Sequence, residues 1–252
     1  LNMKLLANGC SMTHGQELVT DGYDPENTKL CYAHKIYQNY DLFDDYVNIA
    51  MPGVSNQHIV ESTMDYLLTQ DVSNTFVLIG WSSPIRYSFT HNEHYIRFNI
   101  HQPPHEGDCM AGPDITEFHK QFRLHMNDEH DLARHFFHQV NYLANYLEYA
   151  GIPYAMSYFF EEPGYSQTRR RQLTHHWPQK ANEPIINSFG TPDPKYLYRY
   201  NILQGAHWHA LQVLQRARKE SLYASNRHPN ELGHELISQR LLPVVDKGLL
   251  RV

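Results

Sequence analysis

The sequence predicts an α/β fold, a three-layer α/β/α sandwich around a central, mainly parallel sheet. Three observations carry this. Short apolar runs of strand length alternate with longer segments whose apolar residues recur at helical spacing. The clearest run, TFVLIGW at residues 75–81, is uncharged and rich in β-branched and aromatic residues, as a strand covered on both faces must be. The first three runs also end in turns of small residues, GCS, PGVSN and GWSS.

Taken in order, MKLLAN (residues 3–8) reads as a buried strand stopped by Gly9, and CYAHKIYQNY (31–40) as a helix. DYVNIA (45–50) is a second strand, after which Ser55 or Asn56 caps a helix whose apolar face is Ile59, Val60, Met64, Leu67 and Leu68. TFVLIGW follows as the third strand. Residues 84–118, rich in His, Pro and aromatics without a sustained period, read as an irregular insertion. A helical pattern returns from about Glu117 to Tyr149 and stops at Gly151, and IPYAMSYFF (152–160) is the fourth strand. A second irregular insertion covers 161–200, and a last helix opens near Pro229 and Asn230. One domain over residues 1–252, with two insertions, is the simplest organisation.

Composition narrows the function. The 252 residues are 41% hydrophobic and 19% charged, an ordinary globular balance. A formal net charge of −6 argues against nucleic acid as a partner, since such binders normally carry a basic face. Three cysteines, Cys10, Cys31 and Cys109, make no disulfide framework and point to a reducing compartment. No apolar run reaches the ~18 residues of a membrane span, and MKLLA is too short for a signal peptide, so the expectation is a cytoplasmic protein without a membrane partner. The 18 histidines invite a metal. However, the pairs His91/His94, His207/His209 and His135/His138 lack the HExxH pattern or an adjacent cysteine pair. No metal or cofactor is expected.

In an open parallel sheet, ligands gather at the carboxyl ends of the strands. The three turns GCS, PGVSN and GWSS would share that rim, with NRHPNELGH (226–234) placing His228 just before the last helix. In order and position these blocks resemble the SGNH (GDSL-like) hydrolases, and the HPN-x-x-GH ending is the most specific of them. The resemblance implies a flavodoxin-like sheet with Ser11 as nucleophile and His228 as base. It also implies an oxyanion hole drawn from Ser11, Gly53 or Asn56, and Ser82. The divergent blocks are also similar to hydrolase-like proteins encoded by bacteriophages, which implies a particle-associated setting as one option.

The blocks depart from the family pattern at informative places. Cys10 replaces the first block's aspartate, and Ser82 occupies the asparagine position of the third. Three residues before His228, where the family's triad acid belongs, stands Ser225, with Asn226 beside it. Ser225 or Asn226 could orient His228, or an acid could come from elsewhere. Arg86 either closes an ion pair or binds an anionic substrate. Ser11 itself is either a nucleophile or the cap of the following helix. Two function classes therefore stand. One is a serine esterase of small acyl esters, such as O-acetyl groups on carbohydrate, working through a Ser–His dyad or an incomplete triad. The other is a binding or structural module that kept the scaffold and lost the chemistry.

Overall fold

The computed structural model describes residues 2–84, 86–91, 94–99, 117–122, 129–158, 202–203, 222–224 and 228–250. Its centre is β1 (Met3–Gly9), flanked by β2 (Phe43–Asn48) on one side and β3 (Thr75–Trp81) on the other. Beyond β3 lie β6 (Tyr154–Tyr158) and the two-residue β7 (Ile202–Leu203), giving the all-parallel order β2-β1-β3-β6-β7. Register along the central pair runs from Lys4 opposite Thr75 to Gly9 opposite Gly80. Every residue of β3 is buried, which explains its unbroken apolar run.

Parallel strands need crossovers, and helices supply them. The chain adds α1 (Ser11–His14), α2 (Tyr32–Asn39), α3 (Asn56–Thr69), α4 (Glu129–Tyr149) and α5 (Glu231–Leu249). α2 packs on α5 to form one outer layer and α3 on α4 to form the other. Polar ties fasten the first layer: Tyr40 Oη donates to Asp246 at 2.6 Å, and Lys35 lies 3.5 Å from Glu235. The core between the layers is built from Leu5, Leu6, Ile36, Ile59, Phe76, Leu78, Ile79 and Trp81, all fully buried. At the first helix–strand boundaries, Ser55 caps α3 by accepting the His58 N–H at 3.2 Å, and Gly151 ends α4 with φ 66°.

Two expectations need correcting. Part of the first insertion is regular: β4 (Arg86–His91) and β5 (His94–Asn99) form an antiparallel hairpin, with His91 opposite His94. The Ser88 hydroxyl bonds that of Ser55, tying the hairpin to the α3 cap. β2 also starts earlier than residue 45, because Phe43 already pairs with Met3. The second insertion, Cys109, Arg169 to Arg171 and the pair His207/His209 lie outside the described residues.

The order β2-β1-β3 makes the connections leaving β1 and β3 depart toward opposite layers. That reversal opens a crevice at their carboxyl ends. Ser11 and Ser82 follow those two ends.

Candidate active site

The first wall of the crevice is the stretch from Gly9 to Glu17. A side chain at Gly9 would force its surroundings to shift: a Cβ there would collide with Thr13 Oγ1 and lie 2.5 Å from the Gly80 carbonyl. Glycine therefore lets the chain turn sharply off β1 into the one-turn helix α1. Cys10 occupies the cap position and Ser11 the first helical position, so Ser11 is not the cap. Its backbone N–H belongs to the helix start, where no intrahelical acceptor exists. The Ser11 carbonyl accepts the N–H groups of Gly15 and Gln16, both at 3.0 Å, and closes the turn. Gly15 sits at φ 82°, where a Cβ would strike the Asn27 carbonyl at 2.7 Å.

Two residues on, Glu17 adopts φ 74°, the one positive φ at a non-glycine residue among the described residues. Its loop is clamped by Asn27, fully buried, whose Oδ1 accepts from Val19 N–H at 2.7 Å while its Nδ2 donates to the Thr20 carbonyl at 3.0 Å.

The second and third loops are stitched to the first. Met51 N–H donates to the Gly9 carbonyl at 3.1 Å. Asn8, 1% exposed, fixes the end of β1 to α3: its Nδ2 reaches Ile59 O, Ser62 Oγ and Thr63 Oγ1 at 2.8–3.1 Å, and its Oδ1 accepts the Gly9 N–H. Asn56 and Ser82 are bound reciprocally. Ser82 N–H donates to Asn56 Oδ1 at 2.7 Å, and Asn56 Nδ2 donates to the Ser82 carbonyl at 2.9 Å. Ser82 has thus spent its backbone N–H, and its fully buried hydroxyl accepts from Arg86 Nη1 at 3.2 Å. Asn56 keeps one amide proton and the backbone N–H of a helix start. A cavity of about 160 Å³ opens beside it, lined among others by Gln57, Arg86, Tyr87, Phe136 and Gln139. Gly53 has φ 79° and is exposed, a turn glycine first of all.

The fourth wall is the segment before α5. Ala224 N–H donates to the His228 carbonyl at 2.8 Å and Asn230 N–H to that of Leu222 at 3.0 Å. Asn230 then caps α5 by accepting the Gly233 N–H at 2.9 Å. This pins His228, whose ring meets Glu17. The Glu17 Oε2 lies 2.8 Å from His228 Nδ1 and accepts the His228 backbone N–H at 3.1 Å. The carboxylate side chain is only 5% exposed and the imidazole 21%.

Under α1 lies a buried polar layer. Thr13 Oγ1 and Tyr32 Oη are 2.9 Å apart, the Tyr32 N–H donates to His234 Nδ1 at 3.1 Å, and the Tyr32 and His234 rings stack. Burial drives the His234 pKa down to about 3, helped by the Lys35 and His228 charges. Accepting at Nδ1 makes His234 the Nε2–H tautomer, and that Nε2 has no hydrogen-bond partner among the described residues. His14, also buried, stacks on Tyr23 at 5.0 Å; desolvation holds its pKa below the usual histidine range against the nearby Ala50 and Asp24 carbonyls.

Hydrogen bonds thus join the loop that begins at Ser11 to His228 through Glu17, and Asn56 to Ser82 and Arg86, while Gly9 and Gly80 pair side by side at the ends of β1 and β3. Ser225 and Asn226 lie outside the described residues. Sequence reading missed Glu17, Asn8 and Asn27. Glu17 is the first acid behind the GCS block, but nothing in its local spacing points to His228. Among the described residues no three His, Cys, Asp or Glu side chains cluster as a metal site, and His135 and His138 are both exposed.

No family model matches the sequence, and neither does any curated protein. Solved structures do match in shape. A psychrotrophic esterase, EstA from Pseudoalteromonas sp., aligns with TM-score 0.55 at 12% identity, covering 98% of both chains. A variant of Axe2, an acetylxylan esterase from Geobacillus stearothermophilus, gives 0.52 at 13% identity over 96% of this chain and 94% of that one. A G-D-S-L family lipolytic protein from Desulfitobacterium hafniense gives 0.50 at 13% identity over 96% and 99%. With the strand order, the switch-point crevice and the four blocks in sequence, this chain has the fold of the SGNH (GDSL-like) hydrolases.

Proposed function

We propose that the protein is a serine esterase acting on small acyl esters, with Ser11 as nucleophile and His228 as general base. The observation that carries this reading is that one short loop begins at Ser11 and, six residues later, grips the ring of His228. With Nδ1 turned to a carboxylate, the neutral imidazole presents bare Nε2 as the proton acceptor.

The reaction then proceeds in two balanced steps. Ser11 Oγ attacks the acyl carbon as its proton passes to His228 Nε2. The tetrahedral oxyanion is held by the Ser11 backbone N–H and by Asn56, with the Ser82 hydroxyl beside them and the Gly53 turn shaping the loop. Collapse expels the alcohol, which takes the proton from His228 and leaves an acyl-Ser11 ester. Water, deprotonated by His228, attacks that ester, and the carboxylic acid departs as Ser11 recovers its proton.

The substrate class is an acetyl or similarly short acyl ester, with an O-acetylated carbohydrate preferred. Solved structures of like shape include an acetylxylan esterase.

The test is fluorophosphonate labelling with peptide mass spectrometry, followed by p-nitrophenyl acetate turnover. Covalent mass on Ser11 that disappears in His228→Ala, with ester turnover lost in folded Ser11→Ala, is the expected result. A folded wild-type protein that takes no label would instead mark a scaffold that has lost its chemistry.

A further inference from the structure

We infer that Glu17 is the positioning acid of this site, replacing the carboxylate that the segment before His228 lacks. The inference rests on the reading of Ser11 and His228 given above. Three independent features point to it. Glu17 Oε2 receives two donors of the same residue, the His228 ring at Nδ1 and the His228 backbone N–H, so position and rotation of the imidazole are both set by one oxygen. The carboxylate is 5% exposed, and burying a carboxylate is unfavourable unless charge-assisted hydrogen bonds compensate it. Finally, Glu17 holds φ 74°, a conformation in which a side chain other than glycine, asparagine or aspartate is strained by about 1 kcal/mol or more. A loop selected only to turn would carry glycine there. The strain is sustained because the side chain that incurs it reaches the base.

The consequence for the chemistry is specific. Glu17 touches neither the ester nor Ser11 Oγ in the reaction. It keeps the neutral ring in the Nδ1–H tautomer, and its charge stabilises the imidazolium that forms when Nε2 takes the serine proton. The site is thus a complete Ser11–His228–Glu17 triad, with nucleophile and acid on the same loop and the base arriving from the far end of the chain.

The experiment compares wild type, Glu17→Gln and Glu17→Ala, each checked for folding by circular dichroism. One readout is the rate of fluorophosphonate labelling at Ser11. The other is the nitrogen shift of His228 in protein labelled with ¹⁵N-histidine, assigned by difference from His228→Gln. Labelling is expected to slow by roughly 10²–10⁴-fold in both variants. His228 is expected to be Nδ1–H in wild type and predominantly Nε2–H in Glu17→Ala. Labelling within threefold of wild type in folded Glu17→Gln would overturn the proposal, as would an unchanged tautomer in Glu17→Ala. A wild type that fails to label but whose His228 tautomer still depends on Glu17 upholds the ring-positioning role while refuting the esterase reading, so the two failures are distinguishable.

Discussion

The buried histidine packed against Tyr32 makes acid stability a sharp test. His234 has its folded pKa depressed to about 3 from an ordinary 6.5. The unfolded chain therefore takes up a proton first as pH falls. His234's contribution to stability is complete above pH 6.5 and is lost as pH drops toward the folded value. Each pH unit in that window is worth about 1.4 kcal/mol, so roughly 3 kcal/mol disappears between pH 6.5 and 4.5. The informative variant is His234→Asn, because the amide oxygen can still accept the Tyr32 N–H while nothing titrates. It should be less stable near pH 7.5, since a buried ring has been truncated, yet its stability should fall less steeply on acidification. Urea unfolding followed by tryptophan fluorescence from pH 7.5 to 4.5 measures both. His14 and His34 are also depressed by burial and act in the same direction in both proteins, so the difference between the two curves isolates His234. Parallel curves would refute the assignment of a neutral, desolvated His234.

Other substitutions probe the rim. Asn56→Ala strips both partners from the buried Ser82 backbone. It should lower stability by about 1–3 kcal/mol, and it should lower acetyl-ester turnover by about 10²–10³ through the lost oxyanion support; wild-type turnover would remove Asn56 from the site. Gly9→Ala places a Cβ against the Gly80 carbonyl at 2.5 Å, and a strand backbone cannot yield as a flexible side chain can. The expected loss is at or above the upper end of the ~1–3 kcal/mol typical of overpacking, read as a lower urea midpoint; an unchanged midpoint would show that the turn has slack.

Much of the fold is legible because local chemistry and long-range packing agree. TFVLIGW is a strand by composition and is buried on both faces in the structure, with the same bounds. Ser55 caps α3, and Asn230 caps α5, each by the side-chain bond its residue type predicts. The β4–β5 hairpin was harder to see. Alternation is present in RYSFTH, but the histidines and aromatics of that stretch blur the distinction between inward and outward positions, and two strands alone form no layer of their own. For the proposed site, Ser11 and His228 stand out in the sequence because their neighbours resemble a known block order. Glu17 is not, because its meaning lies in a contact across 211 residues that no local spacing encodes. Asn8 and Asn27 are hidden for a different reason. Each satisfies several backbone or hydroxyl groups at once, and a single asparagine in sequence carries no mark of that work.

An acid at Glu17, as proposed, changes what must be held rigid. With a carboxylate three residues before the histidine, one local turn would set both members of the pair. Here the acid is carried by a loop, and the accuracy of the base depends on how well that loop is fixed. Gly15 lets it pass within contact of Asn27 and Cys31. Asn27 then holds it from inside, accepting from the N–H groups of Val19 and Thr20 and donating to the Thr20 carbonyl, while Glu17 N–H closes onto Thr20 at 3.0 Å. Those bonds restrain the backbone on the C-terminal side of Glu17, and the Ser11 carbonyl restrains it on the other through Gln16. The serine turn and Glu17 therefore form one braced unit, against which the segment before α5 sets His228. A triad requires a carboxylate at Nδ1, not a particular sequence neighbour for it. Under the proposed assignment, that requirement is met by the same loop that carries the nucleophile.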